Sequence, residues 1–334
     1  AALMTASTVC RTTGQRQRGA ALLAAMLTVM LVATFSAAAL WQQWRASEVE
    51  AAERGRVQAA WVLIGALDWS RLILREDALT GGPDHLAEPW AVPLAEARLT
   101  SFLSAERNVA SDNLEGLPDA FLSGRIVDAQ SKLNVLSLVD GNKPVPASIA
   151  TFTKLFNILG LPASELSAMT SSLARALATG TDAAGDAGAA PLMPQEVSQL
   201  VWLGLSPSTA AALEPYVTVL PIRTPLNINT ASAEAISASL PSLSISDARQ
   251  LVEKRTRSYF KQIADANAAL PNGGTQFNAG QHSVGTQFFE VYGRLRLDRT
   301  WVEERSLLQR DGVTVKTIWR NRGAGLATAT PAKP

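Results

Sequence analysis

Apolar residues run unbroken at one place in the chain. Residues 20–40, AALLAAMLTVMLVATFSAAAL, hold no charge over 21 positions. As a helix rising about 1.5 Å per residue, this run spans roughly 30 Å, the hydrocarbon thickness of a bilayer. The pattern then becomes periodic. Val62, Ala66, Trp69 and Ile73 recur at i, i+4, i+7 and i+11, Leu63, Leu67 and Leu74 widen the stripe, and Asp68, Arg71 and Arg75 lie opposite. No proline interrupts residues 51–77. The two patterns together predict one helix of about 55 residues, apolar first and amphipathic after.

Strand patterns follow at two places. GRIVDAQSKLNVLSL (124–138) shows mixed alternation around Ile126, Ala129, Leu133 and Val135. In TQFFEVYGRLRLDRT (286–300), Phe288, Glu290, Tyr292, Arg294 and Arg296 alternate against Phe289, Val291, Leu295 and Leu297. Residues 301–321 predict a hairpin turned at Asp311-Gly312. Between these places the period is helical. Phe152, Leu155, Phe156 and Leu159 form a stripe that Gly160 and Pro162 end. Leu166, Met169, Leu173 and Leu177 form another, with Gly180 as the expected C-cap. Residues 181–191, TDAAGDAGAAP, have loop composition. GLSPSTAAAL (204–213) and SLSISDARQL (242–251) then align at an offset of 38, each a turn, a capping serine and a helix. This suggests tandem helix-hairpin-helix units.

Charge changes the picture at the N-terminus. Arg11, Arg16 and Arg18 precede the apolar run with no acid; Arg45, Glu48, Glu50 and Glu53 follow it. The positive-inside rule places the short N-terminus in the cytoplasm and the bulk outside. A cleaved secretory signal peptide is one alternative. Cleavage between Gly19 and Ala20 is another; it would shed the basic leader and keep the apolar helix. Met4 is a candidate first residue that leaves the leader intact. The single cysteine, Cys10, lies in that leader, so the processed chain would carry no disulfide and no cysteine metal site. Of 30 basic and 29 acidic residues, the leader holds three basic and no acidic ones. The processed chain would be near neutral, without the footprint of a nucleic-acid binder.

The candidate chemistry is sparse. His85, beside Asp84 and Glu88, and His282 are the two histidines. LATG and VGT lack a phosphate-cradle pattern, and no nucleophile sits in an elbow, so no enzyme is expected. The helix-hairpin-helix pattern of residues 226–255 raises a rival, a membrane-anchored periplasmic DNA-binding protein, in which hairpin N–H groups would close on a phosphate. Ser242 and Ser244 stand where glycines would allow that approach, and only the first repeat has a glycine, Gly204.

The leader RQRG-AALLAAMLTVML resembles that of type IV pilins and pseudopilins, cut after the glycine by a prepilin peptidase and methylated at the new N-terminus. Gly19 and Ala20 would then flank the cleavage site, with Ala20 methylated. The fifth mature residue, usually glutamate, is Ala24. That departure is similar to the K class of type II secretion minor pseudopilins. DHLAEPWAVPL (84–94), GRIVDAQSKLNVLSL (124–138), residues 196–221, PLNINTAS (225–232) and VGTQFFEVYGRLRL (284–297) stand in the order of that family.

The resemblance implies an α+β fold. A type IV pilin-like unit, with its long N-terminal transmembrane helix packed on an antiparallel sheet, would carry a large inserted all-α, helix-hairpin-helix-like domain. The implied divisions are a leader (1–19), membrane half-helix (20–40), periplasmic half-helix (41–77), first pilin part (78–146), helical insertion (147–282), C-terminal strands (283–322) and disordered tail (323–334). The implied partners are I- and J-class minor pseudopilins, the prepilin peptidase, the inner-membrane secretion platform and exoproteins, with no nucleic acid. The implied place is the inner membrane, single-pass, at the tip of the periplasmic pseudopilus. Relatives carry an acidic stretch associated with calcium. Here only Asp182 and Asp186 remain as weak candidates among alanines and glycines, too few carboxylates for a calcium cage, so no cofactor is expected.

Gly19 offers a peptidase cleft no side chain to obstruct it. A bulky residue there should leave the leader attached, whereas mass spectrometry of the unsubstituted protein should show methylated Ala20 as its first residue. A mature chain starting near Leu40 would instead mean signal-peptide cleavage.

Overall fold

The computed structural model describes residues 18–100, 120–178, 191–271, 274–297 and 300–324. The leader before Arg18, Gly180, Asp182, Asp186 and the tail beyond Ala324 lie outside them. The chain divides into two units, residues 1–58 and 59–334. Helix α1 (Arg18–Thr80) is one continuous helix of 63 residues that contributes to both.

In the second unit, five antiparallel strands form one sheet: β1 (Leu94–Arg98), β2 (Ala120–Asp128), β3 (Phe288–Leu297), β4 (Thr300–Asp311) and β5 (Thr314–Ala324). They are neighbours in that order. Asp128 pairs with Phe289 across β2 and β3, so residues 129–287 leave and re-enter the sheet at adjacent points. An excursion whose ends already touch adds little closure entropy to the sheet.

The sheet buries one face against residues 59–80 of α1. Ala59, Leu63, Leu67, Ser70 and Leu74 are the buried helix positions, while Val62, Ala66 and Ile73 flank them. The helix is therefore rotated by about one residue from the stripe that periodicity centred on Val62, Ala66, Trp69 and Ile73. The cause lies in the sheet. Gly293 on β3 leaves space for Leu63, whose Cδ2 would lie 3.1 Å from a β-carbon there. Two small clusters fill the interface, one of Leu67, Leu74, Trp90, Ile126, Phe289 and Leu308, the other of Leu63, Leu122, Leu295 and Val302.

The expected strand over 124–138 stops at Asp128. Beyond it the chain makes short 3-10 turns, because the Asp128 and Asn134 side chains accept from the N–H groups of Gln130 and Leu136 and compete with ladder bonding. The expected hairpin is present, but its two-residue loop is Gly312-Val313, one position later. Gly312, at φ +55°, takes the first central position of that turn.

Among its described residues, the span 129–287 carries six α-helices: α2 (Pro146–Leu159), α3 (Ala163–Leu177), α4 (Pro207–Leu213), α5 (Ala233–Ser239), α6 (Ile245–Arg257) and α7 (Ile263–Asn267). Gly160, at φ +67°, ends α2 as expected. Helix α3 ends at Leu177 with Ala178 as its cap, ahead of Gly180. A single core runs through the insertion, from Leu133 and Val135 through Phe152, Phe156, Met169, Leu200 and Leu213 to Ile236, Leu251 and Phe277.

Gly124 marks the closest backbone approach in the sheet, since a β-carbon there would lie 2.9 Å from the Tyr292 carbonyl oxygen. Gly124→Ala should cost about 1–3 kcal/mol in chemical denaturation. Gly65→Ala, on an open face of α1, should be stabilising by up to about 1 kcal/mol. Equal effects at the two sites would contradict the tight β2–β3 contact.

Candidate assembly site

The first part of α1 sets the first requirement. Ala20, Ala24 and the rest of the run to Leu40 are exposed along their whole length. Thr28 and Thr34 donate their hydroxyls to the carbonyls of Ala25 and Leu31, so the run leaves neither threonine hydroxyl unpaired. This is a helix long and apolar enough to cross a membrane, and it suits a single-pass anchor. Trp41 and Trp44 follow directly, both exposed, with the Arg45 guanidinium 5.4 Å from the Trp41 ring. Tryptophans at the end of an apolar run are an interfacial signal. Two tryptophans three residues apart were visible in the sequence, where the charge count drew attention instead. Gly19 lies in the same helix, next to Ala20.

The second requirement is met where the insertion joins the sheet, and the family-like sequence blocks converge there. Asp128 is buried. One of its carboxylate oxygens accepts from the Gln130 N–H at 2.7 Å, and the other from Asn227 Nδ2 at 2.8 Å and Thr230 Oγ1 at 2.6 Å. Burial pushes its carboxyl up to about 6, against the pull of these donors. Asn227 also donates to the Asp84 carbonyl, while Asn229 both donates to and accepts from the Phe260 backbone. Gln130 donates to the Pro225 carbonyl and accepts from the Gln287 N–H. The polar residues of DAQ and LNINT thus join the last turn of the sheet to the helical core.

His85 and His282 are not brought together. His85 stacks on Tyr259 with ring centroids 3.8 Å apart. His282 is buried against Ser239 and Phe277, and burial pulls it down to about 4. Among the described residues, Asp77, Asp84 and Glu88 bring carboxylate oxygens within 4.8 Å of one another. Arg310 lies between Asp77 and Asp84 and pairs with both, supplying positive charge that a cation would otherwise bring. Glu88 accepts from the His85 N–H and from Trp90 Nε1 at 2.7 Å. Burial, with Asp77 and Asp84 nearby, pushes Glu88 up to about 7.

The two repeats are real and superimpose in role. Ser206 caps α4 and Ser244 caps α6; Leu205 and Leu243, Ala210 and Ala248, and Leu213 and Leu251 are buried at matching positions. Their turns are engaged from within the chain. The Glu165 carboxylate accepts from the Ser206 N–H at 3.0 Å, at the helix start where a phosphate would otherwise sit. In the second repeat Lys154 Nζ donates to the carbonyls of Leu240, Pro241 and Leu243. Ser242 Oγ accepts from the Thr275 N–H.

The raised Glu88 has a sign that can be measured. Its folded value, about 7, lies above the ordinary 4.5, so ionisation disfavours the fold and this contribution to stability is regained as pH falls from about 7 to 4.5. Glu88→Gln should therefore be more thermostable than the unsubstituted chain above neutrality, and the gap should close on acidification. A gap independent of pH, or one that widens in acid, would contradict the raised carboxyl of Glu88.

Models of the family described as type II secretion system (T2SS), protein K, match residues 131–222 and 226–285, almost the whole excursion between β2 and β3. The type II secretion system protein K of Pseudomonas aeruginosa is 28% identical over 331 residues, covering 92% of this chain and 94% of its own. The protein K of Klebsiella pneumoniae is 26% identical, covering 92% and 97%. A chain in the crystal structure of the GspK-GspI-GspJ complex from the enterotoxigenic Escherichia coli type 2 secretion system superimposes with a TM-score of 0.61 at 19% identity, over 81% of this chain and 98% of that one. The fold is thus the pilin-like α+β fold with its helical insertion, and the chain resembles type II secretion system protein K over most of its length.

Proposed function

We propose that this minor pseudopilin caps the pseudopilus, primes its assembly with I- and J-class minor pseudopilins, and so serves export of folded proteins across the outer membrane. The observation that carries the tip position is the site of the insertion. Residues 129–287 leave the sheet at Asp128, at the end where α1 finishes and Asp77 meets Arg310. Bulk at that end obstructs a further subunit above. The partner assignment rests on the matches to protein K and on the likeness to a chain from a GspK-GspI-GspJ complex.

In this reading the prepilin peptidase cuts between Gly19 and Ala20, Ala20 is methylated, and the helix anchors the chain in the inner membrane with the bulk in the periplasm until the secretion platform extracts it. Exoproteins are further candidate partners. No enzymatic role is proposed, and the calcium site associated with the family is proposed to be lost at Asp182 and Asp186. The Glu165 carboxylate, which takes the Ser206 N–H at the start of the first repeat's helix, supports a packing role for the helix-hairpin-helix units over the rival DNA-binding role.

Ala24 provides the test. An internal subunit offers a carboxylate at this position to the amine of the next subunit, in a medium where unpaired charge is costly; a tip subunit has no incoming amine. Ala24→Glu should leave secretion unchanged or lowered, Ala24→Leu should be nearly silent, and the full chain should co-purify with its I- and J-class partners. Higher secretion or longer pseudopili with Ala24→Glu would make this an internal fibre unit. Failure of the unsubstituted chain to co-purify would remove the partner assignment.

A further inference from the structure

The turn of the second repeat gathers charge that its own sequence lacks. LPSLS (240–244) holds no ionisable side chain. Helix α5 ends at Ser239 with Leu240 as its cap, and carbonyls at a helix end have no partner within the helix. The first repeat closes its own helix end. There Gly204, at φ +100°, turns its N–H back onto the carbonyls of Leu200 and Val201. In the second repeat Ser242 stands at the position of Gly204, and donors arrive from another helix. Lys154 on α2 points its Nζ at three backbone oxygens, those of Leu240 at 2.7 Å, Pro241 at 3.2 Å and Leu243 at 2.7 Å.

An ammonium has three N–H donors and a carbonyl oxygen has two lone pairs. All three donors of Lys154 are used on this one turn. The Leu240 carbonyl also accepts from the Leu243 N–H, and the Leu243 carbonyl from the Ser237 hydroxyl, so each meets the ammonium with its second lone pair. The oxygens thus converge on a point where the fold has placed a positive charge and no negative one. Among the described residues no carboxylate pairs with Lys154, and burial alone pulls its ammonium below the ordinary value. The charge is held by dipoles, those of the three carbonyls and of the end of α5, where a cation is favoured. Converging carbonyl oxygens also replace the hydration shell of a potassium ion. Three neutral oxygens fall well short of the carboxylate-rich shell of six to eight that calcium takes.

We propose that the carbonyls of Leu240, Pro241 and Leu243 form a monovalent-cation site, whose resident cation is the chain's own Lys154 ammonium and which accepts a potassium or ammonium ion when that side chain is shortened of its charge. With Lys154 in place the second repeat needs no ion from the medium, and α2 is fastened to the turn between α5 and α6 by the same contact.

The full chain in neutral detergent is melted at one ionic strength in potassium, ammonium or tetramethylammonium chloride, the last cation being too large for the site. The unsubstituted chain should melt at the same temperature in all three. Lys154→Met keeps the apolar stem and removes the charge. It should melt about 5 °C lower in tetramethylammonium and recover most of that loss in potassium or ammonium. Lys154→Gln, which keeps neutral donors, should fall between the two chains in both respects. A Met variant that folds only in potassium or ammonium would be the same support in all-or-none form. A Met variant as stable as the unsubstituted chain in tetramethylammonium would show that the turn has no need of a cation. A loss that potassium and ammonium leave unchanged would reduce the three contacts to ordinary side-chain hydrogen bonds. Greater recovery in calcium chloride would overturn the monovalent assignment, and a potassium-dependent unsubstituted chain would overturn Lys154 as the resident cation.

Discussion

Asp128 holds the last position of β2, where the chain abandons the sheet for the helical insertion. Its carboxylate is buried and accepts from Gln130, Asn227 and Thr230. A buried carboxylate without donors is expensive, so the fold near it must deliver all three. Gln130 turns the chain off the sheet; Asn227 and Thr230 bring back the far side of the insertion. Asn227 also reaches the Asp84 carbonyl, and Asp84 accepts from the Thr286 N–H just before β3 begins. One polar cluster thus ties the outgoing strand, the returning strand and the segment after α1. The sheet can carry so large an excursion because its two ends are fastened to each other.

Helix α1 answers two solvents with one backbone. Residues 20–40 carry no charge, and the first acidic residue is Glu48. From Ala59 onward its buried face is cut to fit β2 and β3. The end of the helix is held by charge, through Arg310 between Asp77 and Asp84, and the aromatic pair of Trp90 and Phe289 closes the apolar side. One element thus carries both the apolar run that suits a membrane anchor and the face on which the sheet packs.

The helix-hairpin-helix units pack their leucines into the insertion's own core. Their serine caps and buried leucines are intact, but Ser242 and Ser244 stand where glycines would let a phosphate approach the N–H groups. The Glu165 carboxylate from α3 takes the Ser206 N–H of the first turn, and the Lys154 ammonium from α2 binds the carbonyls of the second. Both partners come from the preceding helices, so the hairpins orient the insertion's own core.

Local pattern alone determined the continuous first helix, the stop of α2 at Gly160, the terminal hairpin and the repeat at an offset of 38, because each depends on neighbours within a turn or two. The rotation of α1 was not legible. Val62 and Leu63 are equally apolar, and the choice between them lies with Gly293 in a strand more than two hundred residues away. Residues 129–138 matched a strand by alternation, yet Asp128 and Asn134 captured the backbone locally once tertiary contacts had buried them. Asp128 and Gln130 sat within the expected strand, and Asn227 and Thr230 within the helix-hairpin-helix pattern; neither pattern marks a junction, since an asparagine in sequence carries no mark of the carbonyl it will meet. Sequence by itself determined which elements form and that one of them suits a membrane. Tertiary structure decided which faces meet and which polar groups are buried, because register across a sheet and the partners of a buried carboxylate are set by contacts that no local period encodes.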